Sequence, residues 1–376
     1  MTHYKMSDVV VEVNDRENNP ASSKYDRFVG LEHYVSGEVI IRNYGSTENL
    51  ESTMKIFQSG DVLVARRNVY LKRASMVDFD GLTSGDSIVL RAKNPVIGRI
   101  LPFVLNMDAF WDFADQYSDG TMSKRLSPKT LMTYEFDLPD EDELEKFADL
   151  LWAANDTRES YQALLHQTDE LVKSQFIEMF GDPILNDKGW QYAKFPEVTT
   201  IVLGSTPRTN KDEYWNGNIK WISPAEIADD AFYIYDTVKH ITELGVKSAG
   251  LKPFPAGTVL FSTRAPIGKT AIAGCEMYCN QGFKNFICGP ELRPIYLYYL
   301  LRMKRGFFES IGTGTTFKEL SRSAIEKISI SIPPLDLQDR FVAIFKQTDK
   351  SKFEIKKAIK NTSALIKSLM QQDLTN

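Results

Sequence analysis

The strongest constraint on this chain is that it contains one plan twice. Gly60-Asp-Val-Leu-Val-Ala-Arg-Arg67 resembles Gly257-Thr-Val-Leu-Phe-Ser-Thr-Arg264, and each run precedes a further glycine, Gly85 and Gly282, at the same interval. Gly120, Leu126, Ser127, Leu131 and Pro139 match Gly314, Leu320, Ser321, Ile325 and Pro333 at a single offset of 194 residues. That offset also carries Thr168, Leu171, Lys173 and Ser174 onto Thr362, Leu365, Lys367 and Ser368. A run of matches at one offset signals duplication, and a repeated sequence implies a repeated fold. The extreme N-terminal part of each copy matches much less well.

Each copy opens with a mixed α/β region. Val62–Ala65, Ser87–Leu90, Val259–Ser262 and Ile328–Ile332 are β-branched runs bounded by glycine, proline or charge, the pattern of short strands. Pro294-Ile-Tyr-Leu-Tyr-Tyr-Leu-Leu301 predicts a helix with proline in its first turn. Each copy then closes with a long helix. Leu144, Phe147, Leu151, Ala154, Arg158, Tyr161, Leu165, Thr168, Val172 and Gln175 step by three and four. So do Leu337, Phe341, Ile344, Thr348, Ser351, Ile355, Ala358, Thr362, Leu365 and Leu369. That spacing draws an a/d seam, imperfect at Arg158 and at the Thr and Ser positions. Gly181-Asp-Pro183 supplies the stop of the first helix.

The domains expected are 1–139, 140–183 (the central helix), 184–334 and 335–376 (the last helix). Helices of roughly 40 residues would be about 60 Å long, more than one such domain can cover. The two seams are therefore expected to cover each other. Antiparallel pairing would put the globular regions at opposite ends of a rod.

Charge supports that division. The net charge of −5 argues against indiscriminate coating of nucleic acid. It is segregated: −3 over residues 1–139, −9 over 140–183, +4 over 184–334 and +3 over 335–376. The two helical segments thus attract. Three cysteines, an odd count, suggest reduced thiols. No apolar run approaches a bilayer's thickness, and the start, Met1 to Met6, lacks the apolar core of a signal peptide. A cytoplasmic protein without a membrane partner is expected.

Two variable α/β regions alternating with two similar long helices resemble the specificity subunits of type I restriction-modification enzymes. The motifs agree. Leu203-Gly-Ser-Thr-Pro-Arg208 and Glu213-Tyr-Trp-Asn-Gly-Asn-Ile-Lys-Trp-Ile-Ser223 resemble the opening of that family's target recognition domains. Thr313-Gly-Thr-Thr-Phe-Lys-Glu-Leu-Ser321 and Ile330-Ser-Ile-Pro-Pro-Leu-Asp-Leu-Gln338 resemble its exit into the helix. Leu171 to Pro183 resembles the end of its central helix, whereas residues 1–59 lack the Gly-Ser-Thr-Pro opening. The resemblance implies an α+β fold: two similar mixed α/β target recognition domains separated by two long helices forming an antiparallel coiled coil. It also implies that the chain reads a bipartite duplex DNA target, one half per domain. Its implied partners are two methyltransferase subunits, which modify adenine, and restriction/translocase subunits. S-adenosylmethionine, ATP and magnesium would belong to those partners, with no cofactor in this chain.

The residues themselves offer no catalysis. There is no phosphate loop of the Gly-x-x-x-x-Gly-Lys-Ser/Thr type, no His-Glu-x-x-His pair, and no Asn/Asp-Pro-Pro-Tyr/Phe pocket of an amino-methyltransferase. His3, His33, His166 and His240 are scattered. Cys275, Cys279 and Cys288 have the wrong spacing for a four-ligand zinc site and read as small packing residues. Basic residues are more informative. Arg66, Arg67, Lys72 and Arg73 crowd one stretch of a net-acidic region, and Arg264, Lys269 and Lys284 occupy the related stretch of the second copy. Neutralising phosphates needs several cations together. Asn68, Ser205, Gln281 and Asn285 carry donors and acceptors suited to base edges. Thr206 in the Gly-Ser-Thr-Pro loop, and Thr313, Thr315, Thr316 and Lys318 in the glycine-rich loop, suit phosphate contacts. A rival reading is a coiled-coil adaptor whose globular ends bind proteins. It accounts for the helices but not for the paired basic clusters.

Overall fold

The structure is a computed structural model that describes residues 1–120, 123–314 and 318–372. The fold is α+β, with two mixed α/β regions and two long helices. The chain divides into two compact units, Met1–Ala163 with Ile355–Asn376, and Leu164–Glu354. The expected boundaries at 140 and 335 differ from this division, because each unit takes half of each long helix. Among the described residues no helix is long and apolar enough to cross a membrane.

The first unit is built on the strand order Val10–Val13, Ser87–Ala92, Val62–Ala65, Ala74–Met76. The two central strands pair antiparallel from Ser87 opposite Ala65 to Leu90 opposite Val62. Val62, Leu63, Val64 and Ala65 are all buried, so both faces of this strand are covered, one by each of two core clusters. A second, five-stranded sheet (Arg16–Glu17, Met54–Phe57, Gly81–Thr83, Arg27–Val29, Gly45–Ser46) covers one face, and helices Pro95–Val104 and Asp108–Tyr117 cover the other. Thr2–Lys5 pairs antiparallel with Glu135–Leu138, closing the region just before the central helix.

The second unit repeats this frame. Thr199–Leu203, Lys284–Cys288, Val259–Phe261 and Thr270–Ala273 take the corresponding order, extended by Tyr233–Ile234. Gln191–Lys194 pairs with Ser329–Ile332 as Thr2–Lys5 does with Glu135–Leu138. The extreme N-terminal parts, weakly matched in sequence, are thus matched in structure. Strand Thr2–Lys5, helix Met6–Val9 and strand Val10–Val13 recur as Gln191–Lys194, Phe195–Val198 and Thr199–Leu203, each starting 189 residues later. Few identities survive there because a four-residue helix needs only two buried anchors, Met6 and Val9 in one copy, Phe195 and Val198 in the other. The N-caps repeat as well: Ser127 accepts from Thr130 N and Ser321 from Ala324 N.

The central helix spans Glu141–Phe180 and the C-terminal helix Leu335–Gln372. All ten seam positions expected in the central helix are buried or half-buried. In the first unit its start, from Leu144 to Leu151, shares a core with Met370 near the end of the C-terminal helix. In the second unit Phe176 meets Phe341 with ring centroids 5.4 Å apart, and Lys352 bonds Asp169. Within each unit the helical segments therefore run antiparallel.

The expected seam of the C-terminal helix needs correction. Ser351 and Leu365 are exposed, while Lys352, Ile359 and Ile366 are half-buried and Met370 is buried. The inward face moves one residue along because 3.6 residues per turn drifts against a strict seven-residue repeat. Lys352 fits by laying its aliphatic stem in the seam and ending on a carboxylate.

Phe176 is fully buried among Phe180, Tyr296, Tyr299 and Phe341. Phe176→Ala is expected to destabilise the second unit by about 3–5 kcal/mol, since it leaves an aromatic-sized cavity. Phe353, 66% exposed on the same helix pair, should change stability by no more than about 0.5 kcal/mol when replaced by alanine. Chemical denaturation of both variants checks the contrast.

Candidate nucleic-acid interface

The two copies build the same backbone clasp beyond the end of their central buried strand. After Val62–Ala65, Arg66 N donates to Asp86 O at 2.9 Å, and Arg66 O accepts from Leu126 N at 2.8 Å. After Val259–Phe261, Thr263 N donates to Gly282 O at 2.7 Å, and Thr263 O accepts from Leu320 N at 2.8 Å. The returning hairpin is the same in both. Asp119 N and Arg125 O are 3.1 Å apart and Arg125 N and Asp119 O 2.8 Å; the Thr313–Glu319 pair has the same two distances. Gly120 and Gly314 begin these turns with φ of +94° and +124°, where a side chain would be strained.

Side chains at this clasp put two cations against one carboxylate. In the first unit Asp86 receives Arg67 at 3.2 Å and Arg125 at 2.7 Å. In the second, Glu319 receives Arg264 Nε at 3.0 Å and Lys284 Nζ at 3.2 Å. The carboxylate comes from a different segment in each copy, the turn before strand Ser87–Ala92 in one and the bridge opposite Thr313 in the other, so the charge pattern is kept while its residues are rearranged. Burial alone would raise the Glu319 carboxyl, but the hydrogen bond and charge of Lys284, then those of Arg264, hold it below its ordinary value.

The expected site residues fall into different roles. Arg67 and Arg264 are exposed, at 46% each. Gln281, exposed, lies beside Thr263 and Arg264 through its neighbour Gly282, and accepts from the Thr206 hydroxyl. Ser205 is tied in by its backbone, its N–H to Cys279 O and its carbonyl to Trp221 Nε1. Gly204 precedes it because a Cβ there would sit 2.0 Å from Asn280 O. Thr313 lies in the hairpin bridge, and exposed Lys318 is 3.5 Å from Glu309 O. Thr315 and Thr316 lie outside the described residues.

Other expected residues are engaged within the protein, some buried and some, such as Lys72 and Asn68, in surface contacts. Arg73 donates to Leu31 O and Arg67 O, holding the loop together. Arg66 and Arg73 each have a buried Nε. Lys72 is held by Asp108 at 2.7 Å, a carboxylate also met by Lys367. Asn68 adopts a left-handed conformation and accepts from Ser123 Oγ. Lys269 donates to Ile227 O. Lys284 is only 6% exposed, and its ammonium serves Thr263 and Glu319. Asn285 is fully buried, accepting from Phe261 N and donating to Cys279 Sγ, so it reaches no base edge. The cations clustered in sequence gather near the exit of the same buried strand in both copies, but clustering could not separate those facing out from those facing in.

Arg125, Lys124, Asp86 and Glu319 escaped the sequence reading. A signal existed: Gly120 and Leu126 match Gly314 and Leu320 at offset 194, and that offset places Arg125 on Glu319. Opposite charges at equivalent positions hid the relationship.

Among the described residues no group of three or more His, Cys, Asp or Glu side chains is placed to hold a metal ion. Burial pushes the thiols of Cys279 and Cys288 up to about 12, which makes them poor nucleophiles.

Residues 187–362 match the family described as the type I restriction modification DNA specificity domain. The chain is 37% identical over 165 residues to the type I restriction enzyme MjaIX specificity subunit of Methanocaldococcus jannaschii, a match covering 43% of this chain and 38% of that protein. It is 26% identical over 159 residues to the EcoprrI specificity subunit of Escherichia coli, covering 41% and 39%. The chain thus spans less than two fifths of each of these relatives. In structure it resembles the type I restriction-modification S subunit from M. genitalium, with a TM-score of 0.58 and 11% identity over 100% of this chain and 96% of that one. It also resembles a chain solved in work on complex assembly and conformational transition of the type I R-M system, with a TM-score of 0.57 and 23% identity over 99% and 96%. At these identities the structural likeness concerns the fold.

The depressed carboxyl of Glu319 gives a pH test. A group with a folded value below its ordinary 4.5 contributes stability that is full above that value and lost as pH falls through the folded one. Thermal melts of the chain and of Glu319→Gln should differ by a constant amount above about pH 5, and the gap should shrink steadily as pH falls below the ordinary carboxyl value towards the folded one. A gap that persists in acid would mean that the carboxylate's charge does not hold the clasp.

Proposed function

Since the chain belongs, through residues 187–362, to the type I restriction modification DNA specificity family, we infer that it is the DNA-reading subunit of a restriction-modification complex and performs no chemistry alone. One observation carries the reading: the same backbone clasp is built twice, and each copy presents at least one exposed guanidinium at the same place. A bipartite duplex target asks for two similar readers, each with its own cationic anchor. On this reading one α/β region serves each half-site.

The partners follow from the same reading. Two methyltransferase subunits supply S-adenosylmethionine chemistry, and restriction/translocase subunits supply ATP and magnesium chemistry. The place of work is the cytoplasm, where the DNA is. The adaptor alternative leaves both exposed cationic clasps without a purpose.

The test is assembly with the methyltransferase encoded alongside, followed by mapping of methylated bases. A motif of two defined halves around a spacer is expected, with no methyl transfer by the purified chain alone. Replacing residues 184–334 with the corresponding region of a relative should change one half of the motif only. A complex that retains no DNA in filter binding would sink the reading in favour of the adaptor.

A further inference from the structure

The clasp of the second unit distinguishes two things an exposed arginine can do to DNA. A phosphate contact needs positive charge and tolerates any orientation. Reading guanine needs two parallel donors, aimed at the O6 and N7 acceptors in the major groove. Arg264 spends its Nε on Glu319 Oε2 at 3.0 Å. Among the described residues, no hydrogen bond engages its two terminal nitrogens. Those nitrogens are the pair whose spacing spans a guanine edge.

The carboxylate is itself fixed. Glu319 is anchored through its backbone to Thr313 and through its other oxygen to Lys284, whose side chain is 7% exposed. An ionised group set beside an arginine repels phosphate, so it serves a pure phosphate anchor badly. It does no such harm to the neutral acceptors of guanine. The first unit also sets a carboxylate against two cations, but there Asp86 takes Arg67 and Arg125 by terminal nitrogens, so the free pair is a feature of Arg264. A carboxylate recruited from a different segment in each copy, one before strand Ser87–Ala92 and one in the bridge opposite Thr313, yet placed against the same arginine position, points to a kept contact rather than to inheritance.

We propose that Arg264 reads a guanine in the half-site of the second region and that Glu319 is the positioning residue that aims it, a proposal resting on the DNA-reading function inferred above.

The experiment measures methylation by the assembled complex on duplexes carrying every single base-pair change in the second half-site, for the unsubstituted chain, Arg264→Ala and Glu319→Gln. The unsubstituted complex should require one G·C pair, disfavouring its replacement by about 5- to 150-fold. Arg264→Ala should lose that preference and keep the others. Glu319→Gln, which preserves the side chain's shape, should weaken the same preference while the first half-site and the slope of log K against log[salt] stay unchanged.

Three results overturn the proposal. A second half-site without a G·C requirement does so before any variant is made, which also covers variants that fail to assemble. A uniform loss on all duplexes with a salt slope reduced by about one makes Arg264 a phosphate contact. Unchanged discrimination in folded variants makes the pair a structural latch. If the unsubstituted complex prefers no duplex at all, the DNA-reading function itself fails, and this outcome is separate from the other three.

Discussion

The apolar stripe along the two long helices is the constraint on which the architecture depends. A helix of 40 residues is about 60 Å long, and an uncovered apolar stripe of that length would not stay in water. Each unit meets the demand locally, with half of each helix and the helical face of one α/β region. Leu144, Phe147 and Leu151 are buried with Met370 in one unit, and Val172, Phe176 and Phe180 with Phe341 and Phe345 in the other. Between these ends the seam is poorer, with Arg158, Tyr161, Leu165 and Thr168 half-buried. The aromatic and aliphatic weight lies at the ends because that is where an α/β region adds a third packing partner.

Much of this was legible in the sequence, for specific reasons. The duplication was visible wherever a glycine or an N-cap is demanded by backbone geometry, as at Gly120 and Gly314 or Ser127 and Ser321. Those positions cannot drift without breaking a turn or a cap. The repeat faded in residues 1–13, where only apolar character is demanded and Met6 serves as well as Phe195. The helix seam was legible until the drift of 3.6 against 3.5 residues moved it from Ser351 to Lys352. The site was legible as a location but not as a set of roles. Lys284 and Arg264 are equally basic in sequence; what separates them is that one lies within a strand and the other beyond a strand's end.

On the proposed DNA-reading function, the electrostatics of the clasp suit a chain of net charge −5 that must bind a polyanion without coating it. Two cations on one carboxylate leave a single surplus positive charge at each clasp, far less than a polybasic patch. The central helical segment, at −9, repels the duplex. On that function, binding strength would be withheld from arbitrary DNA, and a larger share of it would come from contacts that depend on base identity. Arg73, Lys269 and Lys284 are part of the same pattern of charge, because cations turned onto backbone carbonyls or carboxylates would add little to nonspecific attraction.

The two units differ most where the clasp does not reach. The first carries a five-stranded sheet formed by residues 16–83, and the second a three-stranded sheet formed by residues 215–279 with Trp215 packed edge-on against Trp221. Duplicated regions that read two different half-sites need both a common way to hold the duplex and separate surfaces to discriminate it. A frame shared down to 0.1 Å in its hairpin hydrogen bonds, bearing sheets of different size, meets both needs. The frame cannot vary without losing the strand exit that carries the arginine. The sheets can, because their strands pair among themselves and meet the frame through one buried face, that of Val13, Leu63, Ala65 and Val89 in the first unit and of Leu260, Ala271 and Ala273 in the second. On the proposed function, divergence of target between the two halves would be permitted by the way the layers are stacked, since the clasp hangs on the frame and its hairpin bridge while the variable sheets lie on the frame's other side.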